Sequence, residues 1–537
     1  MAENKSFNVR VYKGTTYLDL KAEEGKNLLT LLIENGAAPD TPCGGKGRCG
    51  KCGIRLIKGD IPVSDGDRAV FNDEELSLGM RLCCRSFVSG DLELKLLREN
   101  TGKMQILADC GTVEKDYSGT EEKTGQVPAE TGIAIDLGTT TIALALMDLS
   151  ERKTIAVSTL ENSQRSFGAD VISRVEAAIN GKAAGLRKAV TSDIENGISL
   201  LLNKSRVPPA SVKSVAIAGN TAMLHLLEGL DVQGLGAYPF SPANLSLEER
   251  TLGRLFPKVS GILNNAGLPV YILPGKSAFI GADILSGLFD LGFGEKDETC
   301  FFLDLGTNGE MALGNRREVL VSSAAAGPAF EGGNIKWGMA GVPGAISNVE
   351  ITGGMAKVST IGRLEKASGI CGTGVIESAA GLLNAGILDN TGLLTDEYFD
   401  EGFPLAVSAD GRRICITQSD IRELQLAKAA IRAGLEILLK RSGISPKNID
   451  RFYISGGFGY YLNPKKAARI GLFPEELLSK CVISGNTSLK GAAGFLFSPE
   501  NGKERLNRLK ESSREISLSG DPEFNELYIK YMDFPQG

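Results

Sequence analysis

The tetrapeptide Asp136-Leu137-Gly138-Thr139 occurs a second time, letter for letter, as Asp304-Leu305-Gly306-Thr307. Each copy closes an apolar run, within GIAIDL and FFLDLG, and each leads into another apolar run. A short apolar run bounded by a glycine turn reads as a buried strand. A strand-turn-strand unit met twice in one chain predicts two half-domains related by internal duplication. Other runs of this kind, SVAIAG and RFYISGG, alternate with helical segments, the pattern of a parallel or mixed sheet covered by helices. The clearest helix is expected over Asp420 to Arg441. It has Ile421, Leu424, Ile431, Leu435 and Leu438 on one face, Thr417 or Ser419 as its cap and Gly443 as its stop.

Composition narrows the classes of function. A chain of 537 residues leaves room for three to four domains, and 42% hydrophobic residues with 23% charged ones suit a globular core. Lys and Arg number 59 against 65 Asp and Glu, so there is no basic excess to neutralise phosphates and no nucleic-acid partner is expected. The single histidine, His225, excludes multi-His zinc sites, two-His iron sites and H-E-x-x-H proteases. The first residues lack the apolar core of a signal peptide, and no run of 18 uncharged apolar residues occurs, so the expectation is a cytoplasmic protein with no membrane segment.

The N-terminal part has a different pattern. Phe7, Val9 and Val11 alternate, Gly14 turns the chain, and Leu18 and Leu20 alternate again, which predicts a β-hairpin. Leu28, Leu31 and Leu32 give helical spacing up to Gly36; a short helix is expected near Asn72 to Leu78 and a last strand at Leu92, Leu94 and Leu96. The charged stretch EKDYSGTEEKTGQVPAE has no periodic apolar residues and reads as a linker. The expected division is therefore 5–97, a linker over 98–130, and two halves over 131–300 and 301–535.

Five of the ten cysteines crowd into the N-terminal module. Cys43, Cys49 and Cys52, with five and two residues between them, stand in TPCGGKGRCGKC, and Cys84 follows in RLCCRS. Gly44, Gly45, Gly47 and Gly50 allow turns that bring thiolates to one centre, and free backbone N–H groups in such a loop can bond the sulfurs. A four-Cys zinc site is the alternative, but zinc modules usually pair their ligands as two C-x-x-C knuckles; the spacing favours an iron-sulfur cluster. Gly45, Gly47 and Gly50 also spell G-x-G-x-x-G, yet no strand feeds the loop and no helix opens from it, so a dinucleotide site is rejected. The loop resembles that of β-grasp ferredoxins with a 2Fe-2S cluster. That resemblance implies Cys84 as the fourth ligand beside Cys43, Cys49 and Cys52, with Cys83 its ambiguous neighbour.

No Walker A sequence occurs, and Gly275-Lys276-Ser277 reads as an ordinary turn. The repeated hairpins offer another phosphate device: Gly and Thr present N–H and hydroxyl donors, and the strand-end Asp can hold hydrated Mg2+ or orient a water. Taken with Ile454-Ser455-Gly456-Gly457 and the later GNTSLKGAAG, the order resembles the superfamily of actin, sugar and acetate kinases and heat-shock chaperones. The resemblance implies a duplicated ribonuclease H-like fold that clamps ATP. Asp136, Gly138, Thr139 and Thr140 would form the first phosphate loop, Asp304, Gly306, Thr307 and Asn308 the second, and Gly456 and Gly457 would back the adenosine.

A 2Fe-2S module joined to this ATPase fold resembles the reductive activators of corrinoid proteins. NSQRSFGADVISRV, DLGTNGEM, AAAGPAFEGG, SGICGTGVIE and QLAKAAIRAG add to the likeness. It implies that ATP drives an electron from the cluster onto Co(II) to give Co(I) in a corrinoid partner, with a ferredoxin- or flavodoxin-type donor upstream. A homodimer is compatible with these residues. The alternatives are an ATP-driven donor to another low-potential protein, or an electron carrier whose nucleotide domain only senses ATP. His225 is expected to be a packed or surface helix residue, Trp337 a protein-contact or buried anchor, and Asp170 with Arg174 a surface pair of small effect, with a cleft role as the other reading. Cys110, Cys300, Cys415 and Cys481 are expected to be inert packing, and Cys371 is the scattered cysteine that merits a test.

Overall fold

The alternation of Val9 and Val11 finds an equally alternating partner strand. In the computed structural model, which describes residues 5–13, 16–35, 37, 39, 45, 47, 50–97, 128–363, 366–409, 411–456 and 462–536, β1 (Ser6–Lys13) runs antiparallel to β2 (Thr16–Glu23). Val9 lies opposite Leu20 and Val11 opposite Leu18. With β3 (Gly53–Lys58), β4 (Met80–Leu82) and β5 (Leu92–Leu96) they form a five-stranded sheet of order β2-β1-β5-β3-β4, in which β1 and β5 are parallel. Val9, Val11, Ile54 and Leu94 are buried, as are Leu28, Leu31 and Leu32 of the Leu28–Glu34 helix in the same core. Asn27 caps that helix by accepting from the Thr30 N–H at 3.1 Å. The short helix expected near Asn72 is Asp73–Ser77, with Asn72 and Glu75 forming a capping box. The expected turn at Gly14, the stop at Gly36, and 98–127 of the expected linker lie outside the described residues.

The described residues fall into two compact units. One contains the sheet just described together with Asn162–Val190, and the other contains the rest of the chain after the linker.

In the second unit the repeat is visible as topology. The first sheet holds β6 (Thr131–Leu137), β7 (Thr141–Asp148), β8 (Lys153–Glu161), β9 (Val212–Gly219), β10 (Glu248–Thr251) and β11 (Pro269–Ile272), ordered β10-β11-β9-β6-β7-β8. The second holds β12 (Cys300–Leu305), β13 (Gly309–Gly314) and β14 (Val319–Ala324). Beyond an insert made of β15 (Ala345–Thr352), β16 (Met355–Thr360), β17 (Gly369–Ile370), β18 (Phe403–Val407) and β19 (Arg413–Ile416), it adds β20 (Arg451–Ser455), β21 (Cys481–Gly485) and β22 (Ser513–Glu515). Its order is β21-β20-β12-β13-β14-β22. In both sheets three consecutive antiparallel strands are followed by two parallel ones beside the first strand. The two Asp-Leu-Gly-Thr segments therefore occupy the same hairpin in each half.

The apolar runs of β6 and β12 are buried along almost their whole length, as strands covered on both faces must be. The Thr487–Leu496 helix, late in the chain, packs on β6 and β9 of the first sheet and against the Ala282–Leu291 helix. Gly491 permits that approach, because a Cβ there would lie 1.9 Å from the Ser286 carbonyl oxygen. The long helix spans Gln418–Ser442, with Thr417 as its cap and Gly443 in the left-handed conformation at its end.

Asp170 and Arg174 differ from the expected surface pair. Asp170 caps the Val171–Ala177 helix, and Arg174 is 0% exposed, its Nε donating to the Gly168 carbonyl at 2.8 Å. Helical spacing placed them on one face but carried no sign of what covers it. His225 is a packed helix residue: Nδ1 lies 2.7 Å from the Thr221 carbonyl oxygen and Nε2 accepts from the Asn244 N–H at 3.3 Å. Gly275-Lys276-Ser277 is a turn in which the Lys276 and Ser277 N–H groups both donate to the Ile280 carbonyl.

Candidate functional site

The described part of the cysteine site lies at the start of β3 and the end of β4. Cys43 and Cys49 lie outside the described residues. Of the other two proposed ligands, Cys52 precedes β3 and Cys84 follows β4, and their sulfurs are 3.2 Å apart, both buried. That separation is far beyond the ~2.05 Å of a disulfide, so these are two thiols in contact and not a bridge. Gly45, Gly47 and Gly50 have φ of +79°, +73° and +67°, which is the glycine requirement read from the sequence. Asn27, the helix cap, donates from Nδ2 to the Cys84 carbonyl at 3.1 Å and so ties the first helix to the cysteine turn. Cys83 is fully buried in the core, its N–H donating to the Cys52 carbonyl at 3.1 Å. The Cys52 thiol is pushed up to about 12, first by the neighbouring Cys83 thiol and then by burial, against the opposing pull of Cys84. A cluster bound there replaces those protons.

The second site collects the two Asp-Leu-Gly-Thr hairpins, the expected phosphate loops. Gly138 N–H donates to the Thr141 carbonyl at 3.0 Å and Gly306 N–H to the Asn308 carbonyl at 3.0 Å, so the first turn closes over three residues and the second over two. Thr139 Oγ1 accepts from Asn220 Nδ2 at 2.9 Å. Asp136 accepts from Asn486 Nδ2 at 2.8 Å and from Ser488 Oγ at 2.7 Å, at the start of the Thr487–Leu496 helix. Ser455 Oγ donates to the Gly485 carbonyl at 2.9 Å and lies 2.7 Å from Thr487 Oγ1. Gly456 has φ +104°, and a Cβ there would lie 2.3 Å from the Leu305 carbonyl and 2.9 Å from Asp304 Oδ1. Only glycine lets the chain leave β20 so close to the second phosphate loop. Gly457 lies outside the described residues.

Carboxylates dominate this cleft. Burial and then the Asp136 charge raise Asp304 to about 7, while burial, then Asp136 and later Asp304, raise Asp283 to about 7. Glu310, next along β13, is raised well above its ordinary value by burial and then by Asp283 and Asp304. Burial also raises Asp136, against the hydrogen bonds from Ser488 and Asn486. A carboxyl at about 7 folded and 3.8 unfolded holds more protons in the folded state between those values, so its contribution makes the fold less stable as pH rises across them. On the reading of this site as a magnesium-nucleotide site, Mg2+ with ATP would replace such protons by a cation. At neutral pH, binding is expected to release about one proton, measured by calorimetry in buffers of different ionisation heat; identical heats in all buffers would contradict it.

Sequence reasoning missed Asp283, Glu310, Glu331, Asn220, Asn486 and Ser488. A signal existed for two of them: Gly-Asn-Thr occurs at 219–221 and again at 485–487, and both asparagines cap helices while bonding the first phosphate loop.

Residues 298–537 match the family described as the C-terminal domain of RACo, the ASKHA domain, and residues 131–296 match the RACo middle region. The corrinoid activation enzyme RamQ of Eubacterium limosum is 30% identical over 420 residues, covering 74% of this chain and 69% of that protein. The chain belongs to the RACo family. A second relative, the Co(II) methylated amine-specific corrinoid protein reductase of Methanosarcina barkeri, is 28% identical over 432 residues, covering 74% of this chain and 76% of its own. The solved structure of a reductive activator for corrinoid, iron-sulfur protein superposes with a TM-score of 0.69 at 29% identity, over 99% of this chain and 98% of that one. In this RACo-family chain, residues 16–89 match a 2Fe-2S iron-sulfur cluster binding domain, a span that includes Cys43, Cys49, Cys52 and Cys84. Among the described residues, no helix is long and apolar enough to cross a membrane.

Proposed function

We propose that this chain reductively activates a corrinoid protein, using ATP to deliver one electron from a 2Fe-2S cluster to Co(II) and produce Co(I). The observation that carries the reading is the end-to-end similarity, over 99% of this chain, to a reductive activator for corrinoid, iron-sulfur protein. The parts divide as 5–97 for the cluster module, 98–130 for the linker, and 131–300 and 301–535 for the two halves of the ATPase.

Cys43, Cys49, Cys52 and Cys84 are assigned to the cluster, and the converging buried thiols of Cys52 and Cys84 fit that assignment. The cluster, when bound, supplies the one-electron chemistry. Gly138, Thr139 and Thr140, with Gly306, Thr307 and Asn308, offer donors to the ATP phosphates, and Gly456 and Gly457 are assigned to back the adenosine. Asp136 and Asp304 would hold Mg2+. Among the described residues no three carboxylate, thiol or imidazole groups form a metal cage by themselves. Magnesium at nucleotide sites needs none, taking one or two carboxylates and completing its shell with phosphates and water.

ATP is needed because the step is uphill. For a one-electron couple about 59 mV is a factor of ten, so about 200 mV costs on the order of 5 kcal/mol. Nucleotide binding supplies this only if it favours one of two conformations that grip the partner differently. The upstream donor is a ferredoxin- or flavodoxin-type protein, the compartment is the cytoplasm, and a homodimer is compatible with the reading. The test is steady-state ATP hydrolysis with and without a Co(II) corrinoid iron-sulfur protein. Stimulation by the partner is the expected result, and a rate indifferent to the partner at every concentration would overturn the reading.

A further inference from the structure

AAAGPAFEGG is a motif to which the phosphate loops assign no role, and its glutamate lies against both hairpins. Glu331 Oε2 accepts from Thr307 Oγ1 at 3.0 Å and from Thr140 Oγ1 at 3.5 Å. Its other oxygen, Oε1, approaches the Gly306 turn, 4.0 Å from where a Cβ on that glycine would stand. One carboxylate thus engages a hydroxyl from each phosphate hairpin, one in each half of the ATPase unit. These hydroxyls are the donors that a nucleotide's terminal phosphate would use.

We propose that Glu331 is an internal stand-in for that phosphate: it bridges the two hairpins in the nucleotide-free protein and must be displaced when ATP binds. The proposal rests on the reading of this cleft as an ATP site. Two anions cannot share the same pair of hydroxyls, and at so short a separation they repel each other. Glu331 thereby couples phosphate binding to movement of its own segment.

That segment is firmly placed, so the displacement is transmitted. A Cβ on Gly372 would lie 1.7 Å from the Phe330 carbonyl, and one on Gly338 would lie 2.0 Å from the Gly332 carbonyl. Downstream, Lys336 N–H donates to Asp420 Oδ1 at 2.7 Å and Asn334 Nδ2 to Glu423 Oε2 at 3.1 Å, both on the long helix. Trp337, the one tryptophan of the chain, sits six residues beyond Glu331 with the Arg412 guanidinium 5.1 Å from its ring centre. Its fluorescence is a built-in reporter of the segment.

The experiment titrates the full chain with Mg2+ and a hydrolysis-resistant ATP analogue, by calorimetry and by Trp337 emission, in wild type, Glu331→Gln and Glu331→Asp. Glu331→Gln, which keeps the shape and loses the charge, is expected to bind the analogue about tenfold tighter than wild type, and Glu331→Asp to stay near wild type. AMP, which has no terminal phosphates, should bind both variants as it binds wild type. Wild-type Trp337 emission should shift on saturation, and unliganded Glu331→Gln should already emit part-way toward the bound value. The visible spectrum of the cluster and the melting temperature check that the variants fold. Unchanged or weaker binding by Glu331→Gln overturns the proposal and makes Glu331 a magnesium or water ligand. If wild type does not bind the analogue at all, the ATP reading falls and the proposal falls with it.

Discussion

Replacing Cys84 by serine is expected to abolish the visible absorption and the reduced-state EPR signal of the cluster, and to lower iron per chain to background. The basis is the 3.2 Å approach of the Cys84 and Cys52 sulfurs at the end of the glycine loop. A hydroxyl in place of that thiolate is a poor iron ligand, and the remaining thiols cannot complete the set. Cys83→Ala should behave differently. Cys83 is fully buried among Leu82, Val88 and their neighbours, so its truncation leaves a small cavity worth about 1 kcal/mol, seen as a lower melting temperature with the spectrum retained. ATP binding should survive both changes, because the nucleotide residues belong to the other compact unit. The converse pattern, with the cluster kept in Cys84→Ser and lost in Cys83→Ala, would exchange the two assignments.

The second large effect is expected at Asp304. Asp304→Asn preserves the shape of the side chain but removes the negative charge that the proposed magnesium-nucleotide complex would use. The ATP-dependent rate should fall by about 10²–10³-fold, the usual loss when one preorganised electrostatic group is removed from a phosphoryl-transfer site. The cluster spectrum should not change. A full rate with unchanged magnesium dependence would remove Asp304 from the nucleotide machinery, and a lost cluster spectrum would mean that the two modules are not separable as proposed.

Much of this architecture is legible in the sequence for identifiable reasons. The buried strands β6 and β12 are continuous apolar runs ending in the same four letters, so the duplicated halves can be read before any contact is known. The cysteine loop is equally explicit, because its glycines fall where the backbone takes positive φ at 45, 47 and 50. What stays hidden depends on distant segments meeting. Glu331 reaches Thr140 from the other half, and Asn486 reaches Asp136 across 350 positions; local pattern carries no trace of either. Arg174 illustrates the same limit for burial, since a charged residue at helical spacing reads as surface until another segment covers it. Asp170, four residues earlier, reads from spacing as half of an ion pair, although a residue just before a helix is as well suited to capping.

The measurement closest to the central claim mixes the prereduced protein with a Co(II) corrinoid protein and follows the absorption of Co(I), with and without Mg2+ and ATP. The account predicts that Co(I) accumulates only when nucleotide is present, and that Cys84→Ser and Asp304→Asn each abolish or sharply slow the change. Co(I) formed at the same rate without ATP would reduce the nucleotide unit to a sensor, and no Co(I) under any condition would contradict corrinoid activation itself.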